Sequence, residues 1–150
     1  MKIELLADHR DFIPALAEWY ILEWGPFYGE RGPGDALADL TSRSNRNEIP
    51  IGFVATGNGE IFGAAALDLD AATDLTPSVV GLLVVPSQRG RGIATALLES
   101  AESIAKGLGY SRIYVSTTIL GGLLVRMGWY ACGEVEFVNE ERGQIFAKDL

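Results

Sequence analysis

The sequence has few of the residues that form disulfides or bind metals. Its 150 residues include one cysteine, Cys132, and one histidine, His9. A single cysteine excludes an intrachain disulfide and is typical of a reducing compartment, so we expect a cytoplasmic protein with an inert, partly buried thiol. No cluster of His, Cys and carboxylate residues has the spacing of metal ligands, so we expect no metal. His9 is expected to have a capping or surface role.

Positive charge is also scarce. The chain has 12 Lys and Arg residues against 20 Asp and Glu residues, which gives a net charge of −8. Nucleic-acid binding needs a basic face, so we expect no nucleic-acid partner. The acidic balance is compatible with a cationic substrate such as an amine.

Long apolar runs are missing too. No run approaches the length that crosses a bilayer, and the beginning of the chain lacks the pattern of a signal peptide, so we expect no membrane association. The hydrophobic fraction of 48% over this length predicts one globular domain spanning residues 1–150.

What the sequence does contain is a strand, a glycine-rich turn and a helix in direct succession. Val79–Pro86 is a continuous apolar run that predicts a buried strand ending at the proline. The turn follows, with Arg89, Gly90, Arg91 and Gly92. The next apolar residues recur at helical spacing: Ile93, Leu97, Ala101, Ile104 and Leu108.

This unit predicts an anion site. The first N–H groups of a helix have no partner inside the helix and lie at the positive end of its dipole. Gly90 and Gly92 let an anion approach the backbone closely, and Arg89 and Arg91 add positive charge. A phosphate or pyrophosphate suits such a site.

Two common phosphate-binding motifs do not match. A P-loop needs Lys and Ser/Thr after its last glycine, whereas Gly92 is followed by Ile93 and Ala94. A dinucleotide-binding turn needs a third glycine, where this chain has Thr95.

The remaining patterns predict the order β-α-α-β-β-β-α-β-α-β-β. Predicted strands cover residues 2–6, 50–55, 60–70, 79–85, 110–117, 129–138 and 144–148. Predicted helices begin after Asp8 or Asp11 and end at Gly25–Pro26, begin near Gly34 and end near Thr41, and cover residues 93–106 and 120–127.

The turn resembles the cofactor-binding motif of the GNAT family of N-acetyltransferases, Gln/Arg-x-x-Gly-x-Gly/Ala. Here it is Arg89-Gly90-Arg91-Gly92-Ile93-Ala94, preceded by the apolar strand, and the element order is similar over essentially the whole chain. The resemblance implies an α/β fold with a mixed sheet in a single three-layer domain, whose two central parallel strands separate. It also implies transfer of an acetyl group from acetyl-CoA to an amine of a small molecule or peptide.

The resemblance assigns the donor site residue by residue. It implies that the pantetheine arm pairs with the backbone of Leu82, Leu83 and Val84, whose N–H groups also polarise the thioester. It implies that the pyrophosphate contacts the turn and the helix start, namely Arg89, Gly90, Arg91, Gly92, Ile93, Ala94 and Thr95.

The sequence departs from the family pattern at the general acid. In Leu123–Trp129, Leu124 stands where many members have a tyrosine that protonates the leaving thiolate, and Thr117 stands where an asparagine is common. Water or Tyr114 could supply the proton, and the thiolate leaves tolerably without one. The alternative is a non-catalytic sensor or regulatory module that binds acyl-CoA.

The acceptor side is less defined. Glu23, Asp68 and Asp70 are candidate bases, and the last two are expected to share a face of one strand. The segment Phe27–Gly34 is either a wall of the acceptor site or a solvated connector. The sequence leaves open whether the protein forms a homodimer.

Overall fold

A seven-stranded mixed sheet forms the centre of the computed structural model, which describes residues 1–30, 32–137 and 140–150. The strands are β1 (Lys2–Leu5), β2 (Ile51–Gly57), β3 (Glu60–Asp68), β4 (Ser78–Val84), β5 (Arg112–Thr117), β6 (Tyr130–Glu136) and β7 (Arg142–Asp149). The helices are α1 (Ile13–Glu23), α2 (Gly25–Tyr28), α3 (Ala36–Ser42), α4 (Ile93–Gly107) and α5 (Gly121–Arg126). The predicted mixed α/β fold is confirmed.

The strands lie in the order β1-β2-β3-β4-β5-β7-β6. All neighbours are antiparallel except β4 and β5, which are parallel and are connected through α4. The parallel pair is therefore a βαβ unit, as the strand, turn and helix pattern predicts. β7 lies between β5 and β6, a position that the sequence does not reveal.

Helices cover both faces of the sheet. Phe53 and Ala55 of β2 pack in one core with α4 and α5, whereas Val54 between them packs in a second core with α1 and α3. Because successive side chains of a strand point to opposite faces, the two cores lie on opposite sides of the sheet. The result is the predicted three-layer arrangement.

The helix boundaries differ from the predictions in the first third of the chain. α1 ends at Glu23, directly before Gly25–Pro26 as predicted, but a short helix that was not predicted, α2, begins at Gly25 with the proline in its first turn, a position that proline tolerates. Neither Asp8 nor Asp11 caps α1, whose N-cap is Phe12. Asp35 does cap α3, since its Oδ1 accepts a hydrogen bond of 3.0 Å from the N–H of Ala38.

Two further expectations are wrong. β3 ends at Asp68, so Asp70 lies in the turn that follows and does not share a strand face with Asp68. Cys132 is exposed, because β6 is the edge strand and most of its side chains face solvent. The predicted strand end at Val138 and Arg31 of the predicted loop lie outside the described residues.

Two features are absent from the part of the chain that the structure describes. None of the helices found there has the length and apolar character needed to cross a bilayer. Over the same part of the chain, no group of three or more His, Cys, Asp or Glu residues could hold a metal ion.

Candidate active site

The central feature of the site is the separation of β4 from β5. Within the described residues the two strands are paired at one position, Ser78 opposite Tyr114, although β5 continues to Thr117 and β4 to Val84. Beyond Ser78 the edge of β4 therefore faces a gap. Backbone N–H and C=O groups on such an edge are free to pair with an extended ligand.

β4 also carries a bulge at Gly81. Ala66 lies opposite Val80 and Ala64 opposite Leu83, so one residue of β3 faces two of β4. Gly81 has φ of +58°, a conformation that side chains disfavour. The extra residue reverses the alternation of side chains, so that Val79 and Leu83 lie in opposite cores.

Tyr20 of α1 stabilises this bulge. Its hydroxyl donates a 2.8 Å hydrogen bond to the carbonyl of Gly81, and its side chain is almost completely buried. Burial raises the pKa of Tyr20 to about 12, against the opposing effect of the Arg43 guanidinium. The hydroxyl is therefore protonated at neutral pH and is held as a donor to the strand.

The bulge decides which backbone groups face the gap. The N–H of Val85 donates a hydrogen bond to the carbonyl of Phe62 in the neighbouring strand β3. Successive residues of a strand direct their backbone groups to opposite edges. Val84 and Leu82 therefore direct theirs toward the gap. Leu83 directs its backbone toward β3 and its side chain into the core. Of the three residues predicted to pair with pantetheine, Leu82 and Val84 direct backbone groups there, and the carbonyl of Val84 already accepts a hydrogen bond from Nε of Arg89.

The glycine-rich turn has the geometry that its sequence predicts. Gly90 and Gly92 have φ values of +79° and +76°, and a Cβ atom at either position would meet no atom within 4 Å. Gly92 is the N-cap of α4 and no side chain caps this end, so the first N–H groups of the helix are available to an anion. Arg91 is exposed beside them.

Arg89 and Glu23 form an ion pair that the sequence does not predict. Nη2 of Arg89 lies 3.1 Å from Oε2 of Glu23, and Nε donates to the carbonyl of Val84 at 3.1 Å. The pair ties the end of α1 to the end of β4. It brings together one predicted donor-site residue and one predicted base.

The other predicted bases lie apart from each other. Oδ2 of Asp68 is 3.8 Å from Nε of Arg43, whereas Oδ1 of Asp70 accepts a hydrogen bond from the N–H of Ala72 and stabilises a turn. Tyr114 lies at the closed end of the gap, where β4 and β5 still pair. Asp68 is linked to the bulge through Arg43, whose Nη1 lies beside Gly81.

The two positions that depart from the family pattern have structural contacts. Leu124 of α5 is completely buried in the core that includes residues of α4. Oγ1 of Thr117 accepts hydrogen bonds of 3.1 Å from the N–H groups of Ile119 and Leu120, and so caps the turn before α5. Leucine has no titratable group, and the hydroxyl oxygen of Thr117 has a structural role in this turn.

Two residues of the site were missed by the sequence analysis. Tyr20 and Arg43 lie 61 and 38 positions from Gly81 along the chain, yet both contact the bulge. The residues next to Tyr20 and Arg43 in the sequence do not indicate that either side chain lies at the bulge. A glycine inside an apolar strand does indicate a bulge, so Gly81 could have been found.

The comparisons with known proteins agree with this geometry. The sequence profile of the Acetyltransferase (GNAT) family matches residues 13–133. Comparison with curated protein sequences gives no significant match.

Solved structures similar to this chain are acetyltransferases. An aminoglycoside 6'-N-acetyltransferase complexed with coenzyme A is 17% identical, with a TM-score of 0.77 over 99% of this chain and 97% of that protein. A ribosomal-protein-alanine N-acetyltransferase from Brucella melitensis is 17% identical, with a TM-score of 0.76 over 100% of both chains. N-acetylglutamate synthase from Neisseria gonorrhoeae is 21% identical, with a TM-score of 0.70 over 100% of this chain and 35% of that protein.

At these identities the structural likeness supports the fold alone, while the sequence profile covers most of the chain. This profile match identifies the protein as a member of the Acetyltransferase (GNAT) family, and the separated parallel strands, the bulge and the glycine turn at the start of α4 agree with it.

Proposed function

We propose that the protein transfers an acetyl group from acetyl-CoA to the amine of a small molecule or peptide. The observation that carries this proposal is the position of the glycine turn at the start of α4, next to the unpaired edge of β4. One end of this arrangement suits a pyrophosphate and the other suits an extended amide-bearing arm. Acetyl-CoA supplies both groups together with an activated acyl carbon.

Each part of the donor site has a defined task. The turn and the N–H groups of Ile93, Ala94 and Thr95 hold the pyrophosphate, and exposed Arg91 adds charge. The backbone of Leu82 and Val84 pairs with the pantetheine arm. N–H groups near the bulge polarise the thioester carbonyl, which is a large contribution in acyl transfer.

The reaction itself needs little from side chains. The acceptor nitrogen forms a bond to the acyl carbon, the C–S bond breaks, the amine loses a proton to a base or water, and the thiolate takes up a proton. Positioning of the two reactants contributes about 7–11 kcal/mol, whereas a positioned acid contributes a rate factor of about 10²–10⁴. The lack of an acid at Leu124 therefore slows turnover without abolishing it.

Titration calorimetry with acetyl-CoA and with CoA tests the donor site. We expect binding of both, and at least tenfold weaker binding in Gly92→Ala, because the new methyl group occupies the space of the phosphate. The absence of heat with either compound at millimolar concentration would contradict the proposal.

Gly109 offers a matched control for this variant. It follows the other end of α4, has φ of +93°, and a Cβ atom there would meet no atom within 4 Å. Alanine at either glycine carries the same kind of backbone strain, about 1–2 kcal/mol. We expect Gly109→Ala to lose similar stability and to bind acetyl-CoA as the wild type does, so equal binding losses in both variants would count against a phosphate site at Gly92.

One observation favours the alternative, a non-catalytic module that binds acyl-CoA. Leu124 is sealed in the core and the hydroxyl of Thr117 caps a turn, so neither position provides an acid. A panel of amines, peptides and aminoglycosides, assayed for release of CoA thiol, separates the two functions. Tight acetyl-CoA binding without thiol release from any acceptor would favour the sensor.

A further inference from the structure

A buried guanidinium with two unbonded nitrogen donors lies beside the bulge in β4. Arg43 follows α3 and is 6% exposed. Its Nε and Nη1 are shielded from solvent, and neither has a hydrogen-bond partner among the described residues. Burying an ionised group is costly unless it is paired and hydrogen-bonded, so this site lacks an acceptor of hydrogen bonds.

The nearby carboxylates do not fill that role. Oδ2 of Asp68 is 3.8 Å from Nε of Arg43, which is too long for a hydrogen bond, and Oδ1 of Asp68 accepts from the N–H of Leu69 at 2.7 Å. Oδ2 of Asp39 accepts a 2.6 Å hydrogen bond from the hydroxyl of Tyr28. The contact between Asp68 and Arg43 is therefore an ion pair without a hydrogen bond.

The guanidinium lies beside Gly81, the bulged residue of β4. A Cβ atom placed on Gly81 would be 3.1 Å from Nη1 of Arg43 and 3.0 Å from the hydroxyl oxygen of Tyr20. Val80, Gly81 and Leu82 of β4 are partly exposed residues. A small ligand in the gap can therefore reach the strand immediately beside the buried charge.

We propose that Arg43 binds a carboxylate of the acceptor, which makes amino acids the substrate class of this site. The proposal rests on the proposed acetyltransferase function. A guanidinium presents a planar fork of donors that matches both oxygens of a carboxylate. One carbon separates the α-amino group from the carboxylate carbon, so a carboxylate held at Arg43 brings the amine next to the bulge.

A carboxylate site at Arg43 restricts the cationic acceptors expected from the net charge to those that also carry a carboxylate. The overall charge of −8 favours cationic acceptors, but the charge buried at the bulge is positive. An amino acid satisfies both, since its ammonium group is attracted by the acidic surface and its carboxylate by the guanidinium. A simple amine has no group for Arg43.

The test uses wild-type protein and pairs of compounds that differ only in the carboxylate. N-acetyl derivatives of the standard amino acids are titrated into the protein in the presence of CoA, each against its primary amide. We expect at least one acid to bind about 10- to 100-fold more tightly than its amide, the effect of one charge-assisted hydrogen bond or more. Equal affinity within every pair, or no binding by any acid, would overturn the proposal.

Variants assign the effect to the residue. Arg43→Gln should abolish the preference for acids over amides, and Arg43→Lys should restore part of it, because the charge is kept and the fork is lost. Arg46→Gln is the control, since Arg46 is exposed and pairs with Asp8. The proposal fails if Arg43→Gln folds and keeps the wild-type preference.

Thiol release with the free amino acids and their amides separates the two proposals. Release from the amides equal to that from the acids contradicts the role of Arg43 and leaves the acetyltransferase function standing. Binding of N-acetyl amino acids that depends on Arg43, with no thiol release from any acceptor, supports the carboxylate site and contradicts the transferase function.

Discussion

Replacing Tyr20 by phenylalanine tests whether the bulge in β4 depends on one hydrogen bond. The ring is buried and stays in place, so the substitution opens no large cavity. It removes the 2.8 Å bond to the carbonyl of Gly81. A buried acceptor left unpaired costs about 1–3 kcal/mol. Gly81 is partly exposed, so water recovers part of this and we expect a loss of about 1–2 kcal/mol.

Urea unfolding at neutral pH measures this loss. For a chain of this length it corresponds to a decrease in Tm of about 2–8 °C. Hydrogen exchange locates the effect, since we expect faster exchange of the amides of β4 than of those of β2. The expected cause is loss of the bond that holds the carbonyl of the bulged residue.

Tyr28→Phe is the control. Tyr28 stacks on Tyr20 with ring centroids 6.0 Å apart, and its hydroxyl bonds to Asp39 and not to the strand. We expect Tyr28→Phe to leave exchange in β4 unchanged. A stability loss below about 0.5 kcal/mol in Tyr20→Phe, with unchanged exchange in β4, would refute the role assigned to the hydroxyl.

Three further predictions follow from buried, capping and ion-paired side chains. Leu124→Ala should lower the free energy of unfolding in urea by about 2–5 kcal/mol because Leu124 is completely buried, whereas Leu124→Met should lower it by less than about 1.5 kcal/mol. Similar losses in the two variants would contradict tight packing there. Asp35→Ala should lose about 1 kcal/mol through the bond to Ala38, with Asp35→Asn near wild type in thermal unfolding monitored by circular dichroism; equal stability of both variants would contradict the cap. Glu23→Gln should lower the free energy of unfolding by less than about 1 kcal/mol, because the ion pair with Arg89 is exposed. Calorimetry should show tighter binding of acetyl-CoA, because Arg89 is released toward the phosphates. Weaker binding would show that the ion pair shapes the site.

The geometry of the glycine turn and of the start of α4 could be predicted from the sequence because it is local. Gly90 and Gly92 permit positive φ, and the apolar spacing after Gly92 begins a helix whose N–H groups point into the turn. These properties depend on residues within a few positions of one another. The element order and the parallel pairing of β4 and β5 followed from the same periodicities.

The surroundings of the bulge in β4 were decided only by the tertiary structure. The apolar run around Gly81 does not tell which residues face each core, because one extra residue reverses the alternation, and that residue is held by Tyr20 from another layer. In the same way, Asp70 lies outside β3, in a turn where its carboxylate accepts a hydrogen bond from the N–H of Ala72. The sequence by itself determined the positive φ angles of the glycine turn and the start of α4, since backbone conformation is a local property. Only the folded chain decided that a buried arginine lies beside the bulge, since burial and pairing of a charge depend on residues far apart in sequence.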